Sequence, residues 1–408
     1  MKPLKAVSTH NDDVLDETTA PDTEIVYVDI SGVDGVTGIN SKETMLFSAA
    51  PSRARRRVRH GDVIVSTVRT YLRAIARIRD PEENLIVSTG FAVVRPRSQL
   101  APDFLGYLLS ASHFVEQVIA RSTGISYPAI NASELVGIPV SLPPLPEQIA
   151  IATFLDRETA KIDALVAEQQ RLIELLKEKR QAVISHAVTK GLNPSAPVKP
   201  SGIEWLGDVP EHWEVTKIGY VGRVTRGTGY QNVEEVDEAE DAIQMIRISD
   251  FNDFDPVWVK NASTLDAYKV DSTDLLIAGT GASAGITMRV TQEMAGMIHS
   301  YNAPRIRCLQ IEPEFLYFVL NSQEIKRQED LLFTGSAQHF LDLPSISKLE
   351  VPRCDRDEQK HIVKYLNEQL GKLETLTTEA QRAIDLLQER RTALISAAVT
   401  GQIDVRST

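Results

Sequence analysis

Apolar residues recur every seven positions along two long stretches of the chain. The first repeat consists of Leu155, Ile162, Leu176 and Val183, with the polar Gln169 at the middle position, and the second of Leu366, Leu373, Ala380, Leu387 and Leu394. Leucines at intermediate positions widen both stripes, namely Leu165, Leu172 and Leu376. Charged residues flank both stripes, and no proline interrupts them. A seven-residue period predicts two long amphipathic helices that carry a coiled-coil seam.

Two arrangements are compatible with such helices. Each helix could pack on its own globular domain, or the two helices could pair with each other. A helix of forty residues is about 60 Å long, which exceeds the width of a small domain. We therefore favour antiparallel pairing, in which the helices form a rigid spacer.

The two helical stretches are copies of one another. Residues 147–189 and 358–400 align without a gap, and 20 of these 43 positions are identical. The same offset of 211 residues relates 102–109 to 313–320, and an offset of 212 relates 61–66 to 273–278. The sequence therefore predicts an internal duplication of a globular domain followed by a long helix.

Each copy combines both types of secondary structure before its long helix. Apolar runs at 63–65, 86–87 and 92–94 predict strands, and a helical stripe covers 104–119. The predicted fold class is α+β, with two globular mixed α/β domains, two long antiparallel coiled-coil helices and a pseudo-two-fold internal repeat. The predicted boundaries are 1–146 and 193–354 for the domains, and 147–192 and 355–408 for the spacer helices.

The composition is typical of a soluble globular protein, with 42% hydrophobic and 25% charged residues. No apolar run is long enough to span a membrane, and the first residues do not have the pattern of a signal peptide. Cys308 and Cys354 are the only cysteines, and neither has Cys or His neighbours at metal-ligand spacing. We therefore expect a cytoplasmic protein without a metal site.

The formal charge of −12 is unevenly distributed along the chain. Residues 193–354 carry 14 basic and 24 acidic side chains, whereas residues 53–79 contain nine arginines and one acid, Asp62. Since local charge decides where a phosphate backbone can lie, the acidic total does not exclude a nucleic-acid partner.

An arginine-rich segment surrounds a predicted strand of the first domain. Its candidate DNA-contacting residues are Arg53, Arg55, Arg56 and Arg57 before the strand, and Arg69, Tyr71 and Arg73 after it. Arginine binds phosphates and can bond both O6 and N7 of guanine. A solvated basic face, or ion pairs with the acidic second domain, would explain the same residues without DNA. We favour DNA contact for the cluster as a whole.

A polar loop follows the predicted helix of each domain. The candidates are Thr123, Ser126 and Tyr127 in the first loop, and Ser336, Gln338 and His339 in the second. Glutamine can read adenine and histidine can bind phosphate. The offset of 211 residues aligns Gly124 with Gly335, which supports the interpretation of both loops as DNA contacts. An ordinary helix-ending turn would explain the first loop equally well.

Glycine-rich turns supply further candidates in the second domain, namely Arg226, Thr228 and Tyr230 in one turn and Thr280 and Ser283 in another. Glycine allows a ligand to approach the backbone closely, but plain hairpin turns would have the same composition. Because this domain is acidic, we expect its contact surface to be segregated from its acids.

No catalytic motif competes with a binding role. The tetrapeptide Asn/Asp-Pro-Pro-Tyr/Phe of amino-methyltransferases and the Walker lysine motif do not occur in the sequence. Ser345 and Lys348 match a Ser-x-x-Lys pattern, but the companion motifs of that hydrolase class are missing. The sequence predicts a non-catalytic protein without a cofactor of its own.

Two similar domains at a fixed separation suit DNA, whose half-sites recur on one face about every 34 Å. Besides the two helix copies, the chain contains the segments GDVIVSTVR (61–69), LPPLPEQ (142–148) and IEWLGDVPEHWE (203–214). In these features the whole chain resembles specificity subunits of type I restriction–modification systems. Residues 1–30 have no counterpart of the segment around Trp205 and Trp213, which puts the edge strand of the first domain in question.

The resemblance implies that residues 1–146 and 193–354 are target-recognition domains, each of which reads one part of a bipartite double-stranded DNA site. It also implies that the helices set the gap and dock two methyltransferase subunits, while restriction subunits join from outside. S-adenosylmethionine, and ATP with Mg²⁺, would belong to those partners, and no membrane is involved. The alternatives are a coiled-coil adaptor that binds proteins and a self-contained methyltransferase.

Overall fold

The computed structural model describes residues 1–239, 241–333 and 339–405. The chain forms two compact units, one of Met1–Gln170 with Gln381–Thr408 and the other of Arg171–Ala380. Two long helices, α4 (Leu145–Lys190) and α9 (Arg356–Val399), each contribute residues to both units. Each unit therefore consists of a globular domain and one part of each long helix. No helix in the described ranges is long and apolar enough to cross a membrane.

Unit 1 contains two four-stranded sheets, ordered β6-β3-β10-β7 and β2-β11-β8-β9, and two pairs, β1-β12 and β4-β5. Its strands are β1 (Lys2–Pro3), β2 (Ser8–His10), β3 (Glu24–Val28), β4 (Val33–Asp34), β5 (Gly38–Ile39), β6 (Glu43–Leu46), β7 (Ala54–Arg57), β8 (Val63–Ser66), β9 (Ile75–Arg77), β10 (Leu85–Ser88), β11 (Phe91–Pro96) and β12 (Pro139–Val140). Its shorter helices are α1 (Pro102–Ser110), α2 (Ser112–Arg121) and α3 (Ala132–Leu135).

Unit 2 contains sheets ordered β16-β22-β19-β20 and β18-β17-β21, and two pairs, β13-β14 and β15-β23. Its strands are β13 (Val198–Pro200), β14 (Asp208–Pro210), β15 (Glu214–Lys217), β16 (Gly222–Thr225), β17 (Ala242–Ile246), β18 (Val257–Lys260), β19 (Asp274–Ile277), β20 (Thr287–Arg289), β21 (Ile298–His299), β22 (Arg305–Cys308) and β23 (Glu350–Arg353). Its shorter helices are α5 (Ile218–Val221), α6 (Pro313–Leu320), α7 (Gln323–Leu332) and α8 (Leu343–Lys348).

The central strand of unit 1 is buried on both faces. Val63 and Val65 of β8 pack in the core that contains α1, whereas Ile64 packs in a second core against the other four-stranded sheet. Successive side chains of a strand point to opposite faces, so an uninterrupted apolar run is expected where both faces are covered. In unit 2, Leu275 and Leu276 of β19 divide between two cores in the same way.

The first domain does have an edge strand. Strand β1 pairs antiparallel with β12, and Leu4 N donates a hydrogen bond to Ile138 O at 3.0 Å. Strand β15 pairs with β23 in the same arrangement, and Ile218 N donates to Leu349 O at 3.0 Å. The edge strand is therefore present in both domains, although the segment around Trp213 precedes only the second.

The two long helices pack antiparallel in each unit. In unit 1, Leu155 of α4 lies in one core with Ile395 of α9, and Arg391 Nε donates to Asp163 Oδ1 at 2.9 Å. In unit 2 the later part of α4 packs with the earlier part of α9, since Leu176 and Leu366 share a core. This arrangement confirms the predicted pairing.

Three leucines predicted for the helical seam lie outside it. Leu165, Leu172 and Leu376 are 48%, 40% and 47% exposed, respectively. The neighbouring Val166 and Ile173 are instead partly buried, because they alternate with Ile162 and Leu176 at spacings of three and four residues. The other predicted seam residues are buried or partly buried, namely Leu155, Ile162, Leu176, Val183, Leu366, Leu373, Leu387 and Leu394.

Equivalent glutamines fix the start of each long helix. Gln148 Oε1 of α4 accepts a hydrogen bond from Ala101 N at 2.9 Å, just before α1. Gln359 Oε1 of α9 accepts one from Glu312 N at 2.7 Å, just before α6. Both side chains are at least 99% buried, so each bond satisfies a polar group that water cannot reach. The beginning of each helix is thus anchored to the domain that precedes it.

Equivalent serines connect the far end of each long helix to the other domain. Ser185 Oγ of α4 accepts a hydrogen bond from Gln323 N at 3.1 Å, at the start of α7. Ser396 Oγ of α9 accepts one from Ser112 N at 3.0 Å, at the start of α2. The first amides of a helix have no partner within the helix, so these serines satisfy them. Each domain is therefore bonded to the start of one long helix and to the end of the other.

Candidate nucleic-acid interface

A pair of loops lies at one end of the β8 strand in unit 1. The first, called here the β8–β9 loop, comprises residues 67–74. Arg69 N donates a hydrogen bond to Pro128 O at 2.8 Å, and Ile130 N donates one to Thr67 O at 2.9 Å. The β8–β9 loop is thus bonded to the end of the polar loop that follows α2, and two segments far apart in sequence form one surface.

The same loop pair occurs in unit 2. The β19–β20 loop comprises residues 278–286. Gly281 N donates to His339 O at 3.0 Å, and Leu341 N donates to Gly279 O at 2.8 Å. These bonds coincide with those of unit 1 after offsets of 211 and 212 residues. The two loop pairs are therefore structurally equivalent, which accounts for the sequence similarity between them.

The two strand-connecting loops share an unusual backbone conformation. Arg69 and Arg73 have positive φ angles of 51° and 53°, and Gly281 and Gly285 at the equivalent positions have φ angles of 80° and 84°. Glycine adopts this left-handed region freely, whereas a residue with a Cβ loses roughly 1–2 kcal/mol there. Unit 1 thus holds arginine at two positions where unit 2 has the residue that suits the backbone.

Aromatic and apolar side chains are exposed around the β8–β9 loop. The Arg69 guanidinium lies 4.7 Å from the centroid of the Tyr127 ring, and Tyr127 is 64% exposed. Tyr71 and Ile125 are also exposed. Arg69 and Tyr127 line a cleft of about 750 Å³. A planar cation on an exposed ring, beside an open cleft, can bind a flat polar ligand such as a base edge.

Two of the predicted arginines have partners within unit 1. Arg53 Nη2 lies 2.7 Å from Asp29 Oδ2, and the pKa of Arg53 is raised by its hydrogen bond to the Tyr27 hydroxyl and by this ion pair. Arg55 packs over the Phe47 ring at 4.8 Å. The acid that pairs with Arg53 therefore belongs to the same unit.

The remaining arginines of β7 differ in their exposure. Arg56 is partly buried, its Nη2 donates a long hydrogen bond of 3.4 Å to Thr89 O, and burial lowers the pKa of its guanidinium. Arg57 is exposed at the end of the strand. Of these two, Arg57 presents the more accessible charge.

The polar loop that follows α2 is a tight hairpin-like turn. Thr123 N donates to Ala129 O at 2.8 Å, and Ala129 N donates to Thr123 O at 2.9 Å. Gly124 has a φ of +109°, which requires glycine. Ser126 and Tyr127 are exposed at the tip. The loop is therefore an ordinary turn in its backbone, and it also presents accessible side chains at its tip.

In unit 2, Arg226 stacks in the same manner as Arg69. Its guanidinium lies 4.3 Å from the Tyr301 ring centroid and 6.0 Å from that of Phe340. Thr228, predicted beside it as a DNA contact, is 99% buried. Its backbone forms an isolated β-bridge with Ser300, directly after β21, and its side chain lies below the surface. The assignment of Thr228 as a contact residue is therefore wrong in this conformation.

The other predicted residues of unit 2 lie at or near its surface. Tyr230 is 50% exposed, and Thr280 and Ser283 are partly buried in the β19–β20 loop. His339 is exposed and stacks on Phe333 at 4.7 Å with the two rings nearly parallel. The predicted contacts Ser336 and Gln338 lie outside the described residues.

The family to which the chain belongs follows from its sequence. The profile described as type I restriction modification DNA specificity domain matches residues 49–175 and 210–385, which is one match in each half. The chain belongs to this family. It is a type I restriction–modification specificity subunit, the class of protein that recognises DNA sequence. The resemblance noted in the sequence is thereby confirmed.

Relatives of this specificity subunit carry the same designation. The MjaVIII specificity subunit of Methanocaldococcus jannaschii is 22% identical over 337 residues, which cover 79% of this chain and 75% of the relative. The StySPI specificity subunit of Salmonella potsdam is 21% identical over 319 residues, or 76% of this chain and 67% of the relative.

Solved structures have the same fold. One chain, from a study of complex assembly and conformational transition of the type I R-M system, has a TM-score of 0.76 and 22% identity, and covers 97% of this chain and 96% of its own length. The HsdS subunit of Thermoanaerobacter tengcongensis has a TM-score of 0.55 and 23% identity, with coverage of 98% and 96%. The predicted fold class is confirmed.

The specificity subunit also buries a carboxyl group next to the β19–β20 loop. Glu329 is 99% buried, and burial raises the pKa of its carboxyl to about 7. Lys326 Nζ lies 2.9 Å from Glu329 Oε2 and donates a second hydrogen bond to Gly285 O at 2.5 Å. The pair thus fixes one end of the loop. Sequence reasoning missed it, because a Lys–Glu pair three residues apart is ordinary on a helix surface.

Proposed function

We propose that this specificity subunit reads a bipartite double-stranded DNA site, with one target-recognition domain for each half-site. The paired helices would set the unread gap between the half-sites. The chain itself would perform no chemistry and would act by positioning partner subunits on the DNA. This role places the protein in the cytoplasm, where its DNA is.

The observation that carries this proposal is the repetition of the contacts between domains and helices. Gln148 and Gln359 anchor the helix starts, and Ser185 and Ser396 bind the helix ends to the other domain. Equivalent anchoring of two domains that differ in their exposed loops suits a ligand with two different half-sites in a fixed relation. DNA meets this requirement, because its grooves repeat at a regular distance.

The same duplication supports a role in assembly. Two equivalent helix-and-domain surfaces suit two copies of one partner, and we propose that these are two methyltransferase subunits, with restriction subunits added from outside. S-adenosylmethionine would then bind the methyltransferase subunits, and ATP with Mg²⁺ would serve the restriction subunits. Binding of labelled S-adenosylmethionine to the isolated chain would contradict this division of roles.

Selection from a pool of DNA duplexes tests the recognition role and identifies the site in the same experiment. The full chain is mixed with duplexes that contain a long randomised region, and the retained duplexes are sequenced. We expect two conserved blocks separated by unconserved positions of constant number. Binding should also weaken steeply with salt, by about 10³-fold or more between 50 and 200 mM if six or more phosphates are contacted.

The adaptor alternative predicts the opposite result. A coiled-coil protein that binds only other proteins would retain duplexes without any conserved block. Such an outcome would reject sequence recognition by this chain.

A further inference from the structure

The equivalent loops of the two domains differ at two positions of the same backbone conformation. The β8–β9 and β19–β20 loops have the same hydrogen bonds to their partner loops and the same left-handed backbone at both equivalent positions. Unit 2 has Gly281 and Gly285 at these positions, and unit 1 has Arg69 and Arg73. Glycine fits these left-handed positions in the second domain. The arginines at the equivalent positions of the first domain are therefore explained by what their side chains do, and not by the needs of the fold.

The two arginines have different surroundings. Arg73 lines a groove that also contains the carboxylates of Asp385 and Glu389 on α9 and the guanidinium of Arg391. Arg69 lines a neighbouring cleft, in which the carboxylates are those of Asp29 and Asp34.

Neither of those two carboxylates is available to Arg69. Asp29 is paired with Arg53 at 2.7 Å, and Asp34 accepts hydrogen bonds from the amides of Val36 and Thr37, each at 2.7 Å. The positive charge of Arg69 is thus not offset by a free acid in its own cleft.

The side chain of Arg69 is also oriented. Its guanidinium lies 4.7 Å from the centroid of the exposed Tyr127 ring, and both side chains line the cleft, so the ring holds the cation at the cleft wall. The backbone amide of Arg69 is held by Pro128 O, the neighbour of Tyr127, so ring and arginine are parts of one bonded structure. An oriented planar fork matches the O6 and N7 acceptors at the major-groove edge of guanine.

On this basis, and resting on the proposed function, we propose that Arg69 is the specificity-determining residue that reads a guanine in the half-site of the first domain. Gly281 at the equivalent position has no side chain, so the second domain reads its half-site by other groups. The two half-sites therefore differ in the chemistry of recognition as well as in sequence.

The test compares three variants of the full chain by selection from the randomised duplex pool and by binding to the duplex that the wild-type chain selects. In Arg69→Gly the loop keeps its backbone, because glycine fits the left-handed position. We expect the preference for guanine to disappear at one position of one half-site, with a loss of affinity of roughly 10- to 100-fold for the selected duplex. The other half-site should be unchanged.

Two further variants separate the alternatives. Arg69→Lys keeps the charge but loses the planar fork, so the guanine preference should fall while the dependence of affinity on salt is retained. Arg73→Gly relieves the same backbone strain and removes the same charge, and should leave in place the guanine preference that Arg69→Gly abolishes.

Several results would overturn the proposal. An Arg69→Gly chain that still selects guanine at every wild-type position would reject it. An equal loss of affinity for all duplexes would make Arg69 a phosphate contact instead. If the wild-type chain selects no conserved blocks at all, the proposed function itself fails and the inference fails with it. Wild-type blocks with an unchanged Arg69→Gly selection would instead reject the inference alone.

Discussion

Each domain buries one aspartate against an arginine of the adjacent strand. Asp62 accepts two hydrogen bonds from Arg95, at 2.8 and 2.7 Å, and Asp274 accepts two from Arg307, at 2.9 and 2.8 Å. Both carboxylates are at least 99% buried. A buried charge is tolerated only when it is paired and fully hydrogen-bonded, so each aspartate depends on its arginine for the stability of its domain.

Breaking one of these pairs should destabilise its domain. In Asp62→Asn the Arg95 guanidinium keeps its ion pair with the more exposed Asp12 but loses the counter-charge of its buried partner, and we expect a loss of about 3 kcal/mol in the free energy of unfolding. The control is Asp80→Asn, since Asp80 is exposed and its left-handed backbone suits asparagine. Denaturant unfolding followed by circular dichroism measures both, and equal stabilities would contradict a structural role for the pair.

Glu329 should make the second unit sensitive to pH. Its folded-state pKa of about 7 lies above the ordinary value of 4.5, so its contribution to stability is full below pH 4.5 and is lost as the pH rises through 7. Glu329→Gln should remove this decline, which amounts to roughly 3 kcal/mol at 1.36 kcal/mol per pKa unit.

Tryptophan fluorescence can follow this effect in unit 2 specifically, because Trp205, Trp213 and Trp258 all belong to that unit. His299 acts in the opposite direction, since burial lowers its pKa to about 4 and its neutral form loses stability as the pH falls from 6.5 to 4. The difference between the Glu329→Gln and wild-type curves isolates Glu329. Parallel curves from pH 4.5 to 8 would show that its titration is not linked to unfolding.

At the scale of single elements, the helical seam can be tested with adjacent positions. Ile162 is 95% buried, whereas Leu165 is 48% exposed three residues later. We expect Ile162→Asp to cost several kcal/mol, because it places an unpaired charge in an apolar seam, and Leu165→Asp to change stability by less than about 1 kcal/mol. Thermal unfolding of the two variants should differ clearly, and equal melting temperatures would place the seam elsewhere.

The sequence pattern predicted the elements better than the faces they bury. The seven-residue period located both long helices and their partnership. The period could not decide which of Leu165 and Val166 is buried. Leucine is the more apolar of the two, but burial depends on which side chain faces the partner helix. Leu172 and Leu376 were misplaced for the same reason. The left-handed backbone of Arg69 and Arg73 was also unpredictable, since positive φ is inferred from glycine and neither residue is glycine.

At the scale of the whole molecule, a change in helix length tests the spacer role. Deletion of residues 166–172 from α4 together with 377–383 from α9 removes one heptad from each helix, which preserves the seam and shortens each helix by about 10 Å. The duplex selection should then recover the same two blocks with a gap shorter by about three base pairs, given a rise of 3.4 Å per base pair.

Deletion of residues 166–169 from α4 alone is the matched control. It shortens α4 but leaves α9 intact, so the contacts at both ends of the two helices can no longer all form at once. Binding to the wild-type duplex should therefore be lost. An unaltered gap after the double deletion would argue against the helices as the element that sets the distance.

The last turns of α9 complete the core that the first residues of the chain begin. Ile395, Ala398 and Val399 pack in the same cluster as Leu4 and Phe104. During synthesis on the ribosome, the first domain therefore leaves an apolar face uncovered until α9 has emerged. Its final folding step must come last, although its strands are made first. A chain truncated before α9 would consequently expose this face, and we expect a protease to cleave it faster than the wild-type chain.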